Sequence, residues 1–238
     1  MSTQNFLYKN FYQINDKIGI VIPTVGQVIG DEDGYYGLVS ALTAMPIDMM
    51  CQLDDIGVDF TTINEYDLFL MLFQGLKEQD TSLLFGDLDL TKFEMAVNNQ
   101  NGNVVLFNSE NDIVIDRLIH SQIASVLRKI HHIEKDRRKP ANIEAKNFML
   151  KRARDKMRLH KNRKEDSQLE SLIVALVNTE QFKYNFEEAK DLSIYQFNES
   201  AHQIIKKIDY DNRMHGVYAG TISVKDLSRD DLNWLTHK

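Results

Sequence analysis

The stretch DRLIHSQIASVLRKIHHI, residues 116–133, divides the chain. Leu118, Ile119, Ile123, Val126, Leu127, Ile130 and Ile133 recur at helical spacing and form one apolar stripe. Before this stretch the pattern is dominated by alternation and turns. After it, long helical patterns prevail. The expected fold class is therefore α+β and predominantly helical, with an N-terminal mixed domain holding two β-hairpins and a helical C-terminal half. The expected divisions are 1–115, a middle region 116–165 (an amphipathic helix followed by a basic helical arm), and 166–238.

Upstream, Phe11, Tyr12 and Ile14 lead into an Asn15-Asp16 turn, and Ile18, Ile20 and Ile22 alternate after it, predicting the first hairpin. Tyr35, Leu38, Val39 and Leu42 share one face of a helix over 31–43. Pro46 suits the first turn of a further helix and Gly57 its end. Thr62 and Glu65 have the spacing of a capping box for a helix that runs to about Gly75. That helix is apolar nearly all round, so it is expected at the centre of the core. Phe93, Met95 and Val97, then Asn101-Gly102, then Val104 and Leu106, predict the second hairpin, because Asn-Gly tolerates positive φ. A short strand is expected over 113–115. Downstream, helices are expected over 142–163, from about Asp166, and over a stretch carrying Ile194, Phe197, Ala201, Ile204, Ile205 and Ile208 on one face. Short helical turns and loops, with Gly216 and Gly220 as breakers, are expected from Asp209 to Lys238.

Composition narrows the class. Hydrophobic residues make up 43% and charged residues 26% of the 238, the profile of a globular chain. The single cysteine, Cys51, lies among Met49, Met50 and Leu53, and reads as a buried structural thiol in a reducing compartment. Neither a signal-like N-terminal run nor a bilayer-length apolar stretch is visible, so a cytoplasmic protein is expected.

Charge is sharply segregated. Residues 128–164 hold fifteen Lys and Arg against four acids, a net of +11, and the remainder of the chain carries −18. The candidate partner-binding residues on this arm are Lys146, Lys151, Arg152, Arg154, Lys156, Arg158, Lys161, Arg163 and Lys164. On a helical projection these cations surround most of the helix and leave a narrow stripe at Leu150, Ala153 and Met157. Three readings follow: a solvated arm, a phosphate-neutralising nucleic-acid contact, and docking to an acidic protein. Phe148 is the segment's only aromatic residue, which weakens the nucleic-acid reading.

Signals for chemistry are sparse. Asp54 and Asp55 are adjacent, and helical neighbours point about 100° apart, so they do not converge on one atom. Asp87 and Asp89 would share one side of a strand, but no third ligand stands at a telling spacing. His120, His131 and His132 fall off the apolar stripe and read as solvated. Tyr184, Phe186, Tyr195 and Phe197 read as core packing. With no nucleophile elbow, P-loop or dinucleotide glycine pattern, the chain is expected to be non-enzymatic, with no catalytic, cofactor-binding or metal residues.

The segments LESLIVALVN (Leu169–Asn178) and FKYNFEEAKDLSIYQFNESAHQIIKKIDYDNRMHGVYAG (Phe182–Gly220), together with IPTVGQVIG and YYGLVSALTAMPIDMMCQLDDIGVDF near the N-terminus, resemble a family of tail assembly chaperones from bacteriophages of Gram-positive hosts. The resemblance implies a protein that binds the tape measure protein, or another tail protein, in the cytoplasm of the infected cell. It implies no individual functional residue. A nucleic-acid-binding accessory protein and a structural tail subunit stay open as alternatives, as does self-association.

Overall fold

The computed structural model describes residues 5–99, 102–160, 167–228 and 231–235. The chain is α+β and predominantly helical, with two small antiparallel sheets in its N-terminal part and helices throughout its C-terminal half.

The first hairpin pairs β1 (Phe11–Gln13) with β2 (Gly19–Val21). Its turn is held by the Asn15 side chain, whose oxygen accepts from the amides of Lys17 and Ile18 at 2.9 and 2.8 Å. Ile18, Ile20 and Ile22 all point into the core, as their alternation predicts. At Gly19 a Cβ would meet the end of the exposed Phe11 ring, which would have to swing aside.

Helix α1 (Val25–Gly30) is closed by Asp31, which also caps α2 (Glu32–Thr43) by accepting from the Gly34 amide. Tyr35, Leu38, Val39 and Leu42 are buried, as predicted. Pro46 precedes α3 (Met50–Asp55) rather than opening it, and Gly57 follows that helix with a φ of 75°. Helix α4 (Glu65–Lys77) starts later than expected. Its cap is Asn64, paired with Asp67 in the capping box, because Thr62 is drawn into a turn on the Asp59 carbonyl.

The all-round apolar character of α4 has a clear origin: it separates two cores. Tyr66, Phe69, Phe73 and Leu76 face the main core, while Leu68 and Leu72 face a smaller one with Ile47, Leu53, Phe60 and Leu150.

A four-residue helix α5 (Ser82–Phe85) leads to GDLDL, which is not a strand. Gly86 turns the chain at positive φ, and Asp89 caps a short 3-10 turn by accepting from the Thr91 amide. The shared strand face expected for Asp87 and Asp89 therefore does not exist. Strands β3 (Glu94–Val97), β4 (Val104–Asn108) and β5 (Ile113–Ile115) form the second sheet in that order.

Helix α6 (Arg117–His131) begins on the Asp116 cap. Ile123, Val126, Leu127 and Ile130 are buried, whereas Leu118 is exposed. Helix α7 (Ile143–His160) carries the basic arm, and α8 (Gln168–Val177), α9 (Phe186–Asp191) and α10 (Ile194–Tyr218) follow. Helix α10 continues well past Asp209, where loops were expected. No breaker interrupts it before Gly216, and the segment after it folds back along its side through Arg213–Asp231 and Lys207 over Trp234. The main core draws on residues from Phe6 to Ala201.

Candidate functional site

Of the described side chains of α7, Leu150 alone is buried, at 6% exposure. It enters the smaller core, and Met149 packs beside it. One helical turn to either side, two cations clip the helix to the body. The Lys146 ammonium lies 2.7 Å from Asp59 and over the Phe60 ring, and the Arg154 guanidinium reaches Asp54 at 2.8 Å and Asp55 at 2.5 Å. The hydrogen bond from Lys146, helped by the Thr61 amide and hydroxyl, holds the Asp59 carboxyl down at about 2. Asp54 and Asp55 thus converge on one cation, although adjacent helical carboxylates cannot converge on one substrate atom.

The predicted arm therefore splits. Lys146 and Arg154 turn inward. Lys151, Arg152, Lys156 and Arg158 face solvent, as do Phe148, Met157 and Leu159. Arg152 stands 5.8 Å from the Phe148 ring centre. Lys161, Arg163 and Lys164 lie outside the described residues. The expected apolar stripe is real at Leu150 and Ala153 but ends there, since Met157 is exposed. Truncating Leu150→Ala removes the helix's one buried anchor and is expected to cost about 2 kcal/mol. Urea unfolding and the rate of tryptic cleavage within α7 both read that loosening.

Two histidines contradict the solvated reading. His120 is 2% exposed and stacks on Phe69 with ring centres 4.3 Å apart. His131 sits between α2 and α10, with its Nε2 3.0 Å from the Tyr35 hydroxyl and its Nδ1 3.3 Å from the Asn198 amide nitrogen. Asn198 also donates to the Ile130 carbonyl, so its NH2 group faces the ring. Nδ1 then accepts, and the proton resides on Nε2, which donates to Tyr35. His132 is only partly solvated: its side chain is about one-third exposed, it lies 3.2 Å from the Glu199 carboxylate, adopts the left-handed conformation that ends α6, and stacks on His202.

Desolvation lowers both imidazoles, that of buried His120 and that of half-buried His131, to about 4. In the unfolded chain they titrate near 6.5, so below that pH the unfolded state takes up protons that the folded state refuses. Their contribution is intact above pH 6.5 and is lost as pH falls toward 4. A thermal melt series is expected to show Tm falling by roughly 5–10 °C across that window. Asp59 and Asp136, both held near 2, respond only at lower pH.

A cleft of about 540 Å³ opens between α4, α6 and the second hairpin, lined in part by Tyr66, Asp67, Val104, Asp116 and Arg117. Its acids already serve the backbone: Asp116 accepts from the Ile119 amide at 2.9 Å, and Asp67 completes the α4 capping box. Cys51 is buried as expected, and desolvation raises its thiol pKa, which removes thiolate character. Among the four aromatic residues expected in the core, Phe197 is fully buried and Tyr195 packs on Phe6, but Tyr184 and Phe186 remain about half exposed.

The helices that follow the arm are similar to a known protein family. Residues 161–238 match the family model described as YomV second domain. YomV is a phage-encoded protein, and the match supports a phage protein family for this third of the chain. No curated protein and no solved structure matches. The region similar to YomV does not pack alone. Leu169, Ile173, Leu176, Phe182, Ile194 and Phe197 enter the same core as the N-terminal residues, and the backbones lock where Val25 donates to Leu192 and Ile194 donates to Pro23. No helix among the described residues is long and apolar enough to cross a membrane.

Proposed function

We propose that this protein is a non-enzymatic phage tail assembly factor that binds the tape measure protein, or another tail protein, in the cytoplasm of the infected cell. The observation that carries the reading is the outer face of α7. Lys151, Arg152, Lys156 and Arg158 surround exposed Phe148 and Leu159 on a helix anchored by one leucine. Exposed cations beside exposed apolar side chains suit a protein partner that offers acidic and apolar groups together. The similarity of residues 161–238 to a domain of a phage-encoded protein supports the phage context.

One contact favours a second reading. Arg152 beside the exposed Phe148 ring is a pairing on which a nucleic-acid base could stack. Capture of the tagged protein from infected cells, followed by identification of bound species, separates the readings. Recovery of the tape measure protein is expected. Recovery of DNA or RNA alone, with affinity falling steeply in salt, would instead favour the accessory nucleic-acid role. Retention in purified virions would favour a structural tail subunit.

A further inference from the structure

The seat of α7 is itself a shaped surface. Its floor is Leu53, Phe60, Ile47 and Leu68, and its rim carries the thioethers of Met45, Met49 and Met50. Asp54 and Asp55 stand at one end and Asp59 at the other. What fills it is a helix reading Lys146, Leu150, Arg154: a cation, an apolar knob and a second cation, at four-residue intervals. Methionine side chains repack around knobs of different shape, so the floor is not tied to one sequence.

We propose that this groove is a receptor for cationic amphipathic helices, that α7 occupies it in cis, and that a partner helix with the same cation–apolar–cation spacing displaces α7. The occupant is defined by charge complementarity to Asp54, Asp55 and Asp59 and by the helix already seated there. Displacement is cheap in contacts, because α7 gives up one buried side chain and ion pairs that are partly exposed. The tether keeps α7 at high effective concentration, so a competing helix binds weakly until α7 is unseated. This inference concerns the inner face of the arm. It stands or falls independently of which partner the outer face engages.

The test uses the full chain and a fluorescent peptide with the sequence of residues 142–160, read by anisotropy at low salt. Wild type is expected to bind it weakly, and a Leu150→Asp chain, or a milder Leu150→Ala chain should the first fail to fold, at least 10-fold more tightly. Adding Asp54→Lys, Asp55→Lys and Asp59→Lys is expected to abolish that binding. A peptide carrying Lys146→Glu and Arg154→Glu is expected to restore it on the charge-reversed chain. The proposal is overturned if the folded Leu150 variants bind no better than wild type. It is equally overturned if the charge-reversed groove still binds the original peptide unchanged.

Discussion

Replacing Glu65 by alanine is expected to destabilise the protein by about 3–5 kcal/mol, the cost of leaving a buried charge without its partner. Arg128 on α6 is 6% exposed. One Nη donates to the Thr43 carbonyl at the end of α2 and meets the Glu65 carboxylate at 2.5 Å, while Nε and the other Nη are buried without a partner. Glu65 also holds Lys135 at 2.8 Å. Burial works to raise the Glu65 carboxyl pKa, yet the hydrogen bonds and charges of Lys135 and Arg128 leave it below the ordinary value. With Glu65 removed, two cations face each other across the junction of α2, α4 and α6. The paired change Glu65→Leu with Arg128→Met removes both charges and is expected to recover most of the loss. Urea titrations of the two single variants and the double variant give the coupling directly. A Glu65→Ala loss under 1 kcal/mol would show that water reaches Arg128 and that the pair is not a structural joint.

The second large effect is functional. Reversing Lys151, Arg152, Lys156 and Arg158 to Glu shifts the net charge by −8, from −7 to −15, all on one solvent-facing surface. If the proposed function holds, affinity for the protein partner it names is expected to fall about 100-fold, roughly 2.7 kcal/mol. Fold stability is expected to change little, because none of these four side chains enters a core. The pair Lys146 and Arg154 serves as the control. They face the body, so reversing them is expected to loosen α7 without stripping charge from the outer face.

Much of the architecture is legible in local pattern. The alternation around Ile20, the stripe on α2 and the Asp116 start of α6 each rest on interactions within a few residues, whereas Asn101 of the expected Asn-Gly turn lies outside the described residues. The failures arise where distant chain decides. Thr62 and Asn64 both have an acid three residues on, and only the turn made by Asp59 selects Asn64. His120 lies three, four and seven residues before Ile123, Ala124 and Leu127, so the spacing itself placed it on the buried face. The expectation that it falls off the apolar stripe misjudged that spacing. Arg128 is hidden in the same way, and its partner Glu65 stands 63 residues away in sequence. On the basic arm, a helical projection shows that cations surround α7. It cannot show that Asp54, Asp55 and Asp59 turn two of them inward and thereby divide one charged segment into a clip and an exposed face.

We propose that the outward cationic face of α7 binds a phage tail protein. The most direct measurement is capture from infected cells with wild-type protein and the four-residue charge reversal in parallel. Wild type is expected to recover the tape measure protein or another tail protein in stoichiometric amount, and the reversed chain, equally folded, is expected not to. Equal recovery by both chains, or recovery of nucleic acid without a tail protein, would contradict it.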